Sequence, residues 1–462
     1  MIKLANIDAI RKYKNIHMIG IGGISMSGIA EILVNWNFHV PGSDSTDSAI
    51  IQKLRKNNIP VHIGHDLENI KNADLVVYTA AISKNDPELV LAHELNIPTV
   101  ERADFLGELT KAYENTIAIS GTHGKTTTTS MISTCFLEAN LDPSIQVGAI
   151  LKDIDGNYRV GNSPYFIIEA CEYVESFLKF RPKTEVILNI DNDHLDYFKN
   201  FESIKYAFQK YVKLLPENGL LVINADDISC LELSNFVNCN IVSYGIKNVS
   251  ADFIAKNISF DNNGFGCFDV YYHNEFFEHF ELSIAGYHNV LNALACIALC
   301  NEYKIDKKFI KNALKKFTGA SRRLEYKGSF NSASIFDDYG HHPTEILATS
   351  NAIKNKTYNE SWVIFQPHTY SRTKNLLEDF ANSLLEFDHI IITDIYAARE
   401  ENVYGISAKD LVDKINSLNK QALYIPAFDD IVQFLKNNVK ENDLVLTLGA
   451  GTVTNIGPML IK

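Results

Sequence analysis

The stretch SGTHGKTTTT at 120–129 constrains this chain more than any other, because it directly follows the apolar run Ile117-Ala118-Ile119. If residues 116–120 form a strand and Thr126 opens a helix, the glycine-rich segment is the turn between them. Backbone N–H groups in such a turn converge at a helix N-terminus and cradle phosphate oxygens. In that reading Gly121 and Gly124 let phosphates approach the backbone, Lys125 reaches the β- and γ-phosphates, and the Thr126 hydroxyl sits on Mg2+. The spacing departs from the common G-x-x-x-x-G-K pattern, whose first glycine would fall at Ile119. The alternative is a helix start whose glycines only shape the turn. Four consecutive threonines are weak helix formers because of their β-branching. Something beyond propensity keeps them there, which favours phosphate.

Short β-rich runs alternate with helical patterns along the 462 residues, so several domains with parallel sheets are expected. IHMIGI (16–21), VHIG, DLVVYTA and IPTVE read as strands of a first unit. YFIIEA (165–170) and TEVILNI (184–190) belong to a second, with a helix at 202–215 carrying Ile204, Phe208, Tyr211 and Leu215 on one face. Residues 241–284 alternate aromatic and polar side chains around the turn signals DNNG and HNE, which predicts antiparallel hairpins. HNVLNALACIALC (288–300) predicts a helix. SIFDD, WVIFQP, HIIITDI, QALYI and DLVLTLGAG mark strands of a third unit. The expected domains are 1–112, 113–321 and 322–462, with linkers near 110–116 and 318–324.

Lys and Arg number 43 against 56 Asp and Glu, a net charge of −13. That balance argues against nonspecific nucleic-acid binding. The N-terminus MIKLANIDAIRKYKN is broken by charges and shows no secretory signal, and no apolar run approaches the roughly 18 residues of a membrane span. The seven cysteines are scattered without a CxxC pair, which fits free thiols in a reducing cytoplasm.

Glu169 ends one apolar strand in IIEACEY, and Asp191, Asp193 and His194 follow another in LNIDNDHLDY. Acidic groups at the carboxyl ends of parallel strands line the crevice where α/β ligands bind. Beside a phosphate loop the set favours Mg2+ over carboxylates that merely face water. Gly20, Gly22, Gly23 and Gly28, with Asp44 downstream, suggest a dinucleotide turn, but Ser25 stands at the third glycine position of GxGxxG.

Nine motifs occur in one order: GIGGISMSGIAEIL, SGTHGKTTTT, EACEYVESFL, NIDNDHLDYF, GYHNVLNALA, SRRLE, DDYGHHPTEI, FQPHTYSRT and DIYAAREE. Together they resemble the Mur ligase family of peptidoglycan synthesis over nearly the whole chain. The resemblance implies an α/β fold of three domains, each a mostly parallel sheet with flanking helices. The first would be Rossmann-like, the central one a P-loop-type ATPase domain with an antiparallel subsheet, and the third Rossmann-like. It also implies a cytoplasmic enzyme, monomer or homodimer, that uses ATP and Mg2+ to join L-alanine to the lactyl carboxylate of UDP-N-acetylmuramate. A tripeptide-joining relative, a nicotinamide dehydrogenase and a nucleotide-binding switch are the competing readings.

The same resemblance assigns roles. Gly121, Thr122, His123, Gly124, Lys125, Thr126 and Thr127 would hold ATP together with Asn289, Asn292, Arg322 and Asp338. Thr126, Glu169 and His194 would serve the metal. Gly22, Gly23, Ser27, Asp44, His65, Ala80, Ala81 and Tyr339 would bind substrate, and Lys125, His194, His341, His368 and Arg372 would carry catalysis. As structural alternatives, Asn289 is a helix N-cap, Asp338 a strand-end turn residue, and His341-His342 a surface or lone metal pair. The GAGT turn at 449–452 has no assignment.

Overall fold

The computed structural model describes residues 8–398 and 400–462. Residues 1–7 of the charge-broken N-terminus and Arg399 of DIYAAREE lie outside the described residues. The first sheet is wholly parallel, in the spatial order Val61–Ile63, Gly42–Asp44, Ile16–Ile19, Leu75–Tyr78, Thr99–Glu101. The strand Gly42–Asp44 has no apolar run to announce it. It exists because both neighbours pair with it, and a Cβ at Gly42 would sit 2.6 Å from the Met18 carbonyl oxygen. Chain order reverses between Ile16–Ile19 and Leu75–Tyr78, so the Gly20–Gly23 turn and Thr79–Ala81 flank the crevice at that switch point.

The central sheet has ten strands. Asn115–Ser120 lies between Thr184–Ile187 and Tyr165–Glu169, all parallel. The glycine–lysine turn, Glu169 and the segment through His194 therefore leave the same edge of the sheet. The DNNG and HNE turns join the antiparallel strands Phe253–Phe260, Phe265–Tyr272 and Glu275–Ala285, as expected. Asn240–Gly245 corrects the hairpin expectation for 241–284, since it runs parallel to both neighbours. The Asp226 carboxylate accepts the N–H groups of Ile246, Lys247 and Asn248 and turns the chain back after Gly245.

The third sheet has six strands, five of them parallel. The edge strand Glu325–Phe330 pairs antiparallel with Ala333–Asp338 through a turn at Asn331 and Ser332, both at positive φ. That geometry suits a two-residue hairpin. One apolar cluster runs from Met18 and Leu33 of the first unit to Phe166, Phe177 and Phe208 of the central one. Among the described residues, the third unit's clusters draw only on residues from Leu324 onward. No helix among the described residues is long and apolar enough to cross a membrane.

Candidate active site

Gly121 (φ +136) and Gly124 (φ +85) bracket the turn before the helix Lys125–Glu138. A Cβ on Gly124 would come within 2.7 Å of Asn292 Oδ1, so this position needs glycine for space as well as conformation. Lys125 folds back on the turn, where Nζ donates to the Gly121 and Thr122 carbonyls at 2.5 and 3.0 Å and to Glu172 at 2.9 Å. Burial opposes its charge, but the Glu172 carboxylate outweighs that and holds the ammonium above its ordinary value. Thr126, Thr127, Thr128 and Thr129 are all buried. Their helix lies against the helices Tyr287–Glu302 and Lys307–Lys316, so packing overrides weak propensity.

Thr126 Oγ1 donates to the two Glu169 oxygens at 3.1 and 3.0 Å, and the Gly148 N–H donates to the same carboxylate at 2.8 Å. His194, at φ +53, stands 3.8 Å from Asp193 and 3.9 Å from Glu172, and its ring packs on Tyr173. It shares a cavity with Glu169 but lies nearer the other two carboxylates. Burial works against an ionised Asp193, yet Arg372, 3.0 Å away, holds its carboxyl well below the usual range.

Arg372 also donates to His368 Nδ1 at 3.2 Å, which leaves that nitrogen bare and the ring proton on Nε2. His341 Nδ1 lies 3.1 Å from the Tyr339 carbonyl, so its proton sits there and Nε2 is the acceptor. The two rings are 5.5 Å apart. Burial pushes His341 down to about 4 and His368 to about 3, and both are neutral at pH 7. Neither His341 nor His342 is a surface residue.

In the first unit the Gly22 N–H donates to Asp44 Oδ2 at 2.9 Å, so Asp44 shapes the turn directly. Gly23 precedes the helix Ile24–Asn35. Ser27 departs from its expected substrate role, being fully buried with its hydroxyl donated to the Ile24 carbonyl. The helical phase turns Ser25 to the cavity instead, where it meets Gln146 at 2.6 Å and Arg102 at 3.2 Å. Gly28 faces the Tyr158 ring and serves close packing between the first and central units. Ala80 and Ala81 line the cavity, whereas His65 pairs with Asp86 at 3.0 Å outside it.

Asn289 is not the helix N-cap, a place taken by Gly286; its amide donates to the Ala285 carbonyl at 2.7 Å. Asn292 donates to Asn289 at 3.1 Å and abuts Gly124. Asp338 does hold a strand-end turn, accepting Leu324 and Gly340 N–H groups at 2.7 Å, and burial pushes its carboxyl up to about 6. The Tyr339 ring lies under Arg322 at 4.8 Å. Arg322 in turn reaches Asp337 at 3.1 Å and the Gly449 carbonyl at 2.5 Å, which gives the unassigned GAGT turn a contact.

Glu172 and Arg323 escaped sequence reasoning. Glu172 stands three residues past Glu169 in EACEY, but Val174 and Glu175 follow it at positive φ and no local signal announces that turn. Arg323 reaches Thr126 Oγ1 at 3.5 Å across the two units. One cavity of about 690 Å³ joins Ser25 and Ala80 of the first unit, Glu169 and His194 of the second, and His368 and Arg372 of the third.

Three family models match in succession: Mur ligase family, catalytic domain over 15–114, Mur ligase middle domain over 119–300, and Mur ligase, glutamate ligase domain over 322–451. A UDP-N-acetylmuramate–L-alanine ligase of Acetivibrio thermocellus is 50% identical over 462 residues, covering 100% of this chain and 98% of that protein. Its namesake from Clostridium acetobutylicum is 49% identical over 449 residues, 97% of this chain and 98% of that one. The crystal structure of a UDP-N-acetylmuramate-alanine ligase from Thermotoga maritima matches with a TM-score of 0.81 at 29% identity, covering 97% of this chain and 98% of that one. A murein peptide ligase from Psychrobacter arcticus matches at 0.72 and 25% identity, with the same coverage. With the models spanning most of its length and half its residues shared end to end with such relatives, the chain belongs to the Mur ligase family.

Proposed function

We propose that this chain is an ATP-dependent ligase of peptidoglycan synthesis that joins L-alanine to the lactyl carboxylate of UDP-N-acetylmuramate, giving ADP and phosphate. The observation that carries the reading is the single cavity on which Glu169 beside the lysine turn, His194, and the Arg372–His368 pair converge. Residues 1–112 would hold the UDP-sugar, 113–321 ATP, and 322–462 would close over both in a cytoplasmic enzyme.

A carboxylate is a poor acyl donor. Its oxygen attacks the γ-phosphorus and ADP leaves; the amine nitrogen then attacks the acyl carbon, loses a proton, and phosphate departs. Lys125, now on Glu172 and two carbonyls, exchanges those partners for phosphate oxygens and neutralises charge on the phosphoryl in flight. The Thr126 hydroxyl and Glu169 carboxylate make an oxygen pair that fits Mg2+, with His194 on the same wall. Bound there, Mg2+ would neutralise phosphate charge. Arg372 suits an anionic carboxylate or phosphate, and neutral His341 and His368 do not repel an approaching ammonium. Gly22 and Gly23, at a helix N-terminus, suit the diphosphate of the UDP-sugar.

The likeness to a murein peptide ligase favours a tripeptide as the second reading. ADP release should require UDP-N-acetylmuramate and alanine; turnover with tripeptide and not alanine would overturn the proposal. Lys125→Ala should abolish ADP release yet leave UDP-sugar affinity intact in calorimetry, because the two glycine turns sit on separate sheets. Joint loss of both would contradict that separation.

A further inference from the structure

One carboxylate on the wall of the active-site cavity still lacks a task. Glu400 lines that cavity together with His368, Ser371 and Arg372. Two segments of the third unit are laced together to hold it there. The Thr369 N–H donates to the Tyr396 carbonyl at 2.9 Å, and the Tyr396 N–H to the Pro367 carbonyl at 2.8 Å. Thr369 takes φ +65 with ψ 147, a backbone region that a β-branched residue adopts only when its surroundings impose it. Ser371, only 5% exposed, then donates its N–H to Glu400 Oε2 at 2.9 Å and its hydroxyl to Oε1. Among the described residues these are the only hydrogen bonds of that carboxylate, and no cation pairs with it. An ionised carboxylate offers about four acceptor positions, so Glu400 retains free lone pairs and an unbalanced charge.

We infer that Glu400 binds the ammonium group of the amino acid to be joined, an inference that rests on the ligase reading of this cavity. Ser371 and Arg372 are neighbours on the helix Tyr370–Asn375, so the residue that holds Glu400 adjoins the guanidinium suited to a carboxylate. A carboxylate beside a guanidinium matches the two opposite charges of a zwitterionic amino acid. Arg372 gives one N–H to Asp193 and one to His368, and the rest of its fork stays free to donate. The other carboxylates on the cavity wall are engaged elsewhere: Asp193 with Arg372 at 3.0 Å, and Glu169 with Thr126 and the Gly148 N–H. Glu400 is the acid left for the ammonium. It fixes where the nitrogen waits, and it disfavours acids that carry a hydroxyl in place of the ammonium.

ADP release by the full-length chain, with alanine varied at saturating ATP and UDP-N-acetylmuramate, is the test. Glu400→Gln keeps the size and an acceptor for Ser371 but removes the charge. Its KM for alanine should rise roughly 10- to 100-fold, the range for a hydrogen bond to a charged group, with the KM for ATP and for UDP-N-acetylmuramate unchanged. Glu401→Gln, next along the chain and exposed, should behave as the native protein does. L-Lactate, with a hydroxyl where alanine has its ammonium, should inhibit the native enzyme weakly and the variant no less, whereas a merely structural Glu400 would weaken both ligands together. An unchanged alanine KM in folded Glu400→Gln, a matching rise for all three substrates, or an equal rise in Glu401→Gln would each overturn the inference. Should Glu400→Gln fail to fold, Ser371→Ala, which frees the carboxylate from its tether, decides by the same measurement. If the native chain turns over a tripeptide and not alanine, the alanine reading falls, and the same comparison with tripeptide still tests Glu400, because its partner is the ammonium of either substrate. No amine-dependent turnover at all would overturn both.

Discussion

Two neutral histidines line the proposed site for the amino acid, and burial is what keeps them neutral. His341 and His368, faced by Glu345, Arg372 and Asp193, hold off protonation to about 4 and about 3, against an ordinary 6.5. Because folding depresses these values, their stabilising contribution is complete above pH 6.5 and is lost as the pH falls toward 4. Denaturant unfolding should show stability declining by about 1.4 kcal/mol per ring for each pH unit below that point. His341→Asn should flatten the decline, and a variant slope as steep as the native one would refute the assignment. At this scale residue type and spacing pointed to Lys125, Thr126 and Glu169, which the fold places in one neighbourhood. Glu172 and the exchange of Ser25 for Ser27 were hidden, since they depend on a turn at positive φ and on helical phase.

Among the elements, the helix Lys125–Glu138 begins only because Gly124 accepts a left-handed backbone. Alanine there adds about 1–2 kcal/mol of strain and forces its Cβ toward Asn292 Oδ1. Gly124→Ala should therefore weaken ATP binding by roughly tenfold, about 1.4 kcal/mol. Gly64, at φ +94 with open space around it, is the control. Gly64→Ala should cost similar stability and leave ATP affinity alone in calorimetry; equal loss of ATP affinity in both would mean strain and not the turn is responsible. The apolar alternation made most strands readable. Gly42–Asp44 and Glu325–Phe330 were not, because backbone pairing with neighbours places them, without an apolar run of their own.

In the whole molecule the first and central units share an apolar cluster, whereas the third has its own. Charged and polar contacts such as Arg372–Asp193 and Thr344–Asp191 join the third to the centre. Such an interface can part and close. Asp193→Asn leaves a buried guanidinium without its partner and should cost the closed state about 3 kcal/mol. X-ray scattering should show the native protein compacting with ATP and UDP-sugar, and the variant compacting less; identical native profiles with and without ligands would contradict closure. By itself the sequence determined the alternation of strand and helix and the chemistry of each turn, because both are set by neighbours along the chain. Only the tertiary structure decided which turns meet. Arg372 and Asp193 are 179 residues apart in sequence, and the docking of one sheet beside another brings them together.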